Sequence, residues 1–100
     1  MAKKFDGVIE AVRYKDGRIE VVRAFERRGA AFSDRIMIPR HELLEKLKDG
    51  RKFVVGRRKE FLAGTFDTGK PVQVVSRGSS DFISTRSDAE QDELEQAPVF

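Results

Sequence analysis

A tight turn near the start of the chain constrains the fold more than any other feature of the sequence. The pair Asp16-Gly17 separates two runs, Phe5 to Tyr14 and Arg18 to Arg27, in which apolar residues alternate with polar ones. Asp-Gly accommodates the positive φ angles of a tight turn, and alternation is typical of a strand with one buried face. The sequence therefore predicts a β-hairpin at the beginning of the domain.

Alternation also predicts which face of each hairpin strand is buried. The apolar residues of one parity are Val8, Val12 and Tyr14 in the first strand and Ile19, Val21 and Phe25 in the second. Because successive side chains of a strand point to opposite faces, we expect these two sets to face the core together.

The segments after the hairpin predict further strands and one helix. A third strand is expected over Ala31 to Ile38, and Leu43, Leu44 and Leu47 have the spacing of an amphipathic helix over Arg40 to Lys48. Later strands are expected at Lys52 to Val55, Phe61 to Phe66 and Val72 to Val75, with turns at Gly56 to Lys59 and Asp67 to Lys70.

This order, β-β-β-α-β-β with one further short strand, predicts a mainly β protein with one short helix. It resembles the order of the OB-fold, a five-stranded Greek-key barrel whose helix lies between strands three and four. An SH3-like barrel or another small barrel would give much the same pattern, and these alternatives stay open. We expect one small antiparallel barrel domain over residues 1–76.

The composition changes at Arg77. Residues 77–100 are rich in Ser, Asp, Glu and Gln and contain few apolar groups, so they predict a disordered tail. The tail carries 2 Lys and Arg against 6 Asp and Glu, whereas residues 1–76 carry 18 against 11. The chain is therefore a basic body of net charge +7 followed by an acidic tail of net charge −4.

Candidate catalytic groups are sparse. The single histidine, His41, lies at the predicted helix start, and the chain has no cysteine to act as a nucleophile or metal ligand. We therefore expect a protein that is not an enzyme and has no cofactor or metal. The lack of cysteine suits the reducing cytoplasm, and no apolar run predicts a signal peptide or a membrane span.

The charge of the body favours a polyanionic ligand. Its Lys and Arg concentrate at predicted turns and strand ends: Arg27, Arg28, Arg51, Lys52, Arg57, Arg58, Lys59 and Lys70. If the barrel brings these turns to one side, they form a groove that follows the phosphates of a nucleic acid. Tyr14 and Phe32 lie near basic strand ends and are the candidate rings on which the bases of a single strand would stack. The alternative is that the charges only protect edges and loops from aggregation.

The tail ends in Ala97-Pro98-Val99-Phe100, preceded by the spaced acids Asp92, Glu93 and Glu95. This ending resembles the tail of bacterial single-stranded-DNA-binding proteins, with the difference that Val99 separates the proline from the final phenylalanine. The resemblance implies that the acids, Pro98 and Phe100 dock a partner protein, with the Phe100 ring in a hydrophobic pocket. The same tail could instead fold back on the basic groove until nucleic acid displaces it.

Together these features predict a non-enzymatic nucleic-acid-binding protein, with single-stranded DNA or RNA favoured. The competing interpretation is a structural or protein-interaction module whose tail keeps it soluble. The sequence leaves open whether the ligand is DNA or RNA, and whether exposed strand edges pair two copies into a homodimer.

Overall fold

A computed structural model of the chain shows seven strands and one helix. It describes residues 5–29, 31–58, 66–89, 91–95 and 97–100. The elements are β1 (Gly7–Lys15), β2 (Arg18–Arg28), β3 (Ala31–Phe32), β4 (Ile36–Pro39), α1 (Arg40–Lys48), β5 (Phe53–Arg58), β6 (Phe66–Arg77) and β7 (Ser80–Ser84). Among the described residues, no helix is long and apolar enough to cross a membrane.

The strands form one sheet that curls into a half-barrel, in the order β3-β2-β1-β5-β6-β7, with β4 also paired to β2. The prediction of a small, mainly β, barrel-like fold with one short helix is confirmed. The sheet is mixed, however, because β1 and β5 run parallel, with Gly7 to Ile9 beside Phe53 to Val55. The expectation of a purely antiparallel barrel is therefore wrong at this pair.

The hairpin forms as predicted, with Asp16 at φ 54° and Gly17 at φ 79° in the turn between β1 and β2. Val8, Val12, Ile19 and Phe25 are buried as predicted, but they do not share one face. The register between the strands shifts at Glu10 of β1 and again at Glu20 of β2. A bulge adds one residue to one strand and exchanges the faces of the residues beyond it. The main core cluster consequently takes Ile9 and Val12 from β1 and Ile19, Val22 and Ala24 from β2.

The predicted third strand is divided into β3 and β4, which both pair with β2. The interruption falls at Ser33, whose backbone N–H donates to the carbonyl oxygen of Glu26 at 2.8 Å while its hydroxyl accepts from the Glu26 N–H at 3.0 Å. The helix has the predicted bounds, buries Leu43 completely and ends where Gly50 adopts φ 90°.

The second half of the sheet differs from the prediction at two turns. Gly56 and Arg57 continue β5, and the expected turn at Asp67 to Lys70 lies inside β6, with Thr68 opposite Gly56. A Cβ atom at Gly56 would collide with the Asp67 carbonyl oxygen, so glycine serves close strand pairing here. Of the predicted strand from Phe61 to Phe66, only Phe66 lies within the described residues, as the first residue of β6; Lys59 lies outside them.

The prediction of a disordered tail from Arg77 is wrong for the described part of that segment. β6 crosses the expected domain boundary at residue 76, and β7 pairs with it antiparallel. The later apolar residues, although few, are spaced to fill the core: Ile83, Ala89 and Leu94 are buried. Because each fills a site on a surface that already exists, the chain can be ordered with little apolar area of its own.

A buried carboxylate joins this segment to the rest of the sheet. The side chain of Asp92 has no exposed surface, and it accepts hydrogen bonds from the backbone N–H groups of Ile19 in β2 and Ile83 in β7, each at 2.9 Å. The Arg40 guanidinium, at the start of α1, donates to both carboxylate oxygens, at 2.7 and 3.2 Å. Asp92 therefore connects two strands and the helix at one point.

Burial on its own would raise the pKa of Asp92. Hydrogen bonds from Arg40, Ile19 and Ile83 outweigh that effect and hold the pKa below its ordinary value of 3.8. The folded state therefore favours the ionised carboxylate.

Replacing this carboxylate should destabilise the fold. We expect Asp92→Ala to lower the free energy of unfolding by roughly 3 kcal/mol, because it leaves a guanidinium and two backbone N–H groups without their acceptor. Urea unfolding followed by circular dichroism measures this change. Asp88→Ala removes a carboxylate that is 68% exposed and serves as the control, with little change expected. Equal midpoints for the two variants would contradict the role assigned to Asp92.

The lowered pKa also predicts an acid-sensitive fold. A carboxyl group whose pKa is lower in the folded than in the unfolded state contributes stability that is present above its unfolded pKa, about 3.9, and is lost as pH falls through its folded pKa. Thermal unfolding between pH 6 and pH 2 should show a fall in melting temperature below about pH 4. Asp92→Asn cannot ionise and should show a shallower fall over the same range.

Candidate nucleic-acid interface

The two faces of β2 differ in chemistry. Val22 and Ala24 point into the main core, so the alternate residues Arg23, Phe25 and Arg27 lie on the opposite face, which we call the outer face. Register places Arg13 of β1 opposite Val21, and Phe32 of β3 opposite Arg27. The outer face therefore carries arginines and aromatic rings in one row.

At one end of this row, Arg27 lies against two rings. Its guanidinium carbon is 4.6 Å from the centroid of Phe32 and 5.8 Å from that of Phe5, and the two rings are 5.7 Å apart. The Arg27 Nε–H donates to the Phe5 carbonyl oxygen at 3.1 Å. These contacts hold the guanidinium in one place on a partly exposed surface.

In the middle of the row, Arg35 lies over the buried ring of Phe25, with 5.6 Å between guanidinium and centroid. Its Nε–H donates to Glu10 at 2.7 Å, and Arg23 approaches the same carboxylate at 3.4 Å. The hydrogen bond with Glu10 raises the pKa of Arg35 above its ordinary value. Arg35 stays charged and is 58% exposed.

At the other end, two guanidiniums lie over the ring of Phe100. Arg13 is 4.7 Å and Arg23 is 4.6 Å from its centroid, and the Arg13 Nε–H donates to the Phe100 carbonyl oxygen at 3.2 Å. The backbone of the same segment pairs with β1: the Val12 N–H donates to Pro98 at 2.8 Å, and the Phe100 N–H donates to Val12 at 3.0 Å. We call Arg13 and Arg23 with this ring the arginine clamp.

We call Arg13, Arg23, Arg35 and Arg27 together the arginine track. The described residues hold five contacts between a guanidinium and an aromatic ring, and all five lie along it. Proteins have about one energetically significant contact of this kind per 70–80 residues. Five such contacts in a chain of 100 residues exceed this frequency, and all five lie on one surface.

The groove predicted from the turns is divided between two surfaces. Arg27 and Phe32 belong to the arginine track. Arg28 and Arg51 instead lie on the helix side, each 3.6 Å from the buried Glu26 carboxylate, which Lys46 of α1 also contacts at 2.8 Å. Arg28, Arg51 and Lys46 compensate the buried charge of Glu26, so these cations are not part of the arginine track.

The other predicted binding residues are spread over the molecule. Lys70 pairs with Glu95 at 2.8 Å, and Tyr14 packs against the core with its hydroxyl accepting from the Leu94 N–H. Burial raises the pKa of Tyr14 above its ordinary value. Lys52 is exposed before β5, and Arg58 is the last residue of β5. Arg57 lines a surface depression together with Glu10 and Pro98.

The residues predicted to dock a partner are used within the molecule. Asp92 is buried, Glu95 pairs with Lys70, and the Glu93 backbone forms a parallel bridge with Ser84 of β7. Pro98 and Phe100 lie against β1. The acidic side chains therefore fix the segment to the body in this structure.

Sequence reasoning missed Phe5, Arg13, Arg23 and Arg35 as site residues. The sequence does contain one indication of this site. Arg23, Phe25 and Arg27 are three long side chains at every second position of one predicted strand, so they share one face of it. The alternation predicted that Phe25 lies in the core, and its ring is indeed fully buried. What this prediction missed is that Arg23 and Arg27 alternate with this ring along β2 and share its face. The pairing of Phe100 with Arg13 joins residues 87 positions apart, which a single sequence does not reveal.

Comparison with protein-family models, curated proteins and solved structures finds no match to this chain. The site therefore has to be interpreted from its own geometry.

Proposed function

We propose that this protein binds nucleic acid, with single strands favoured, through the arginine track on the outer face of β1 and β2. It acts as a binding protein, not as an enzyme, and works in the cytoplasm. The observation that carries the proposal is the row of four arginines, each held against an aromatic ring.

A guanidinium held over an aromatic ring is well suited to bind a phosphate. The ring restricts the position of the group, and the group keeps N–H donors that the oxygens of a phosphate can accept. Because Arg23 and Arg35 are already 37% and 58% exposed, a phosphate can reach them without unfolding of the sheet. Little side-chain entropy is lost on binding, since the contacts with rings already restrict these arginines.

The row of planar groups favours single strands over duplexes. Unpaired bases can stack on aromatic rings and on guanidinium planes, whereas the bases of a duplex are already stacked on one another. The row extends from the level of Val21 to that of Arg27, six residues along β2, or about 20 Å. A surface of this length lies at the short end of the range of about 4 to 16 nucleotides that one OB-fold covers.

Removing one arginine of the track should weaken binding. We expect Arg27→Ala to reduce the affinity for a fluorescent single-stranded oligonucleotide about tenfold and to lower the slope of log K against log salt by about one. Arg27→Lys keeps the charge but loses planar stacking, so its affinity should lie between the two. Fluorescence anisotropy at several salt concentrations measures both effects.

Arg51→Ala is the matched control, since it removes an equal charge from the helix side. Its affinity should stay close to that of the unchanged protein. Equal losses for the two alanine variants would indicate general electrostatic attraction and contradict a site on the track. No measurable binding by the unchanged protein at low salt would refute the proposed function.

A second function is favoured by the backbone pairing between β1 and the segment from Pro98 to Phe100. Val12 exchanges two backbone hydrogen bonds with this segment of the same chain, which supports binding of an extended peptide at this edge of β1. The protein would then be an interaction module. A labelled peptide with the sequence of residues 91–100 that binds while oligonucleotides do not would favour this function.

A further inference from the structure

The arginine clamp has the geometry of a nucleobase site. Two guanidiniums lie 4.7 and 4.6 Å from the centre of one planar ring, and proteins hold the splayed bases of single strands by the same stacking on arginine planes. We propose that Arg13 and Arg23 bind a nucleobase, and that Phe100 occupies this site until a strand long enough to reach it takes its place. The inference rests on the proposed binding of single strands.

The segment that follows β7 is held unequally along its length. Its first part is fixed by the buried carboxylate of Asp92, by the buried side chain of Leu94 and by the pairing of Glu95 with Lys70. Its last part is exposed at Pro98 and 68% exposed at Val99. Residues 98–100 can therefore leave β1 while the rest of the segment stays in place.

The surface beneath these residues can be exposed without damage to the sheet. Pairing between β1 and β5 covers only Gly7 to Ile9, so the edge of β1 near Val12 is paired by residues 98–100 alone among the described residues. When the segment leaves, the Val12 N–H and carbonyl groups face solvent and can bond to water. The two arginines remain on β1 and β2 with their stacking planes open.

Competition between the ring and a base depends on the length of the strand. Phe100 is tethered, so its effective concentration at the clamp is of the order of millimolar, and one free base cannot compete with it. A nucleic-acid strand that is already bound at Arg27 and Arg35 is tethered in the same way. One of its bases can therefore compete with Phe100 for the clamp. Binding should therefore strengthen steeply once the oligonucleotide spans the whole track.

The test compares Phe100→Ala with the unchanged protein over a series of oligothymidines of about 2 to 12 nucleotides. We expect the variant to bind the longer oligonucleotides about fivefold more tightly, because two ring–guanidinium contacts no longer oppose them. The shortest oligonucleotides should gain less, because they cannot contact the clamp and the rest of the track at once. Val99→Ala, a change at the neighbouring exposed residue, is the control and should leave the series unchanged.

Hydrogen exchange of the Phe100 amide supplies the second measurement. This amide donates to Val12, so its exchange should accelerate when a long oligonucleotide is added and stay slow with a short one. Circular dichroism and thermal unfolding confirm that the variants are folded.

The outcomes separate the two proposals. Tight binding of long oligonucleotides with no gain in Phe100→Ala and a protected Phe100 amide would overturn the clamp as a nucleobase site, while the proposed function would stand. No binding at any length by either protein would refute the proposed function and the inference with it. Release of the Phe100 amide by an acidic peptide, but not by oligonucleotides, would overturn the nucleobase site in favour of a peptide site.

Discussion

The fold depends on the buried Asp92 carboxylate, which receives hydrogen bonds from β2, β7 and the first residue of α1. A curled sheet whose first and last strands do not pair needs another element to hold its two ends at a fixed distance. A carboxylate does this well, because its two oxygens accept several hydrogen bonds from different directions at once. Arg40 supplies the countercharge that makes burial of the group tolerable.

Fixing the inner side of the sheet allows the outer face of β2 to carry arginines. The core draws on Ile9, Val12, Val22 and Ala24 on the inner side, and α1 adds Leu43. The irregularity of β1 at Glu10 permits this arrangement, because it brings two residues three positions apart to the same side. The outer face buries Phe25 and Val8 at one level and carries arginines on either side of Phe25 along β2.

The sequence allowed the hairpin and the helix to be predicted because both depend on neighbours in the chain. Asp16-Gly17 determines a turn within four residues, and the leucines of α1 follow a helical period. The course of β6 was not predictable in this way, since Asp67 to Lys70 contains turn-forming residues that are held extended by pairing with β5. The order of residues 85–89 and 91–95 depends likewise on Asp92 and its distant partners.

The candidate site was predictable only in part, because local charge density does not distinguish cations that compensate buried acids from cations that face a ligand. Arg28 and Arg51 are of the first kind, whereas Arg27 lies against the Phe32 ring. On the track itself, Glu10 of the body approaches both Arg23 and Arg35. The carboxylates of the acidic segment pair with cations away from the track, as Asp81–Lys48, Asp92–Arg40 and Glu95–Lys70 show. The segment contacts the track through the ring of Phe100.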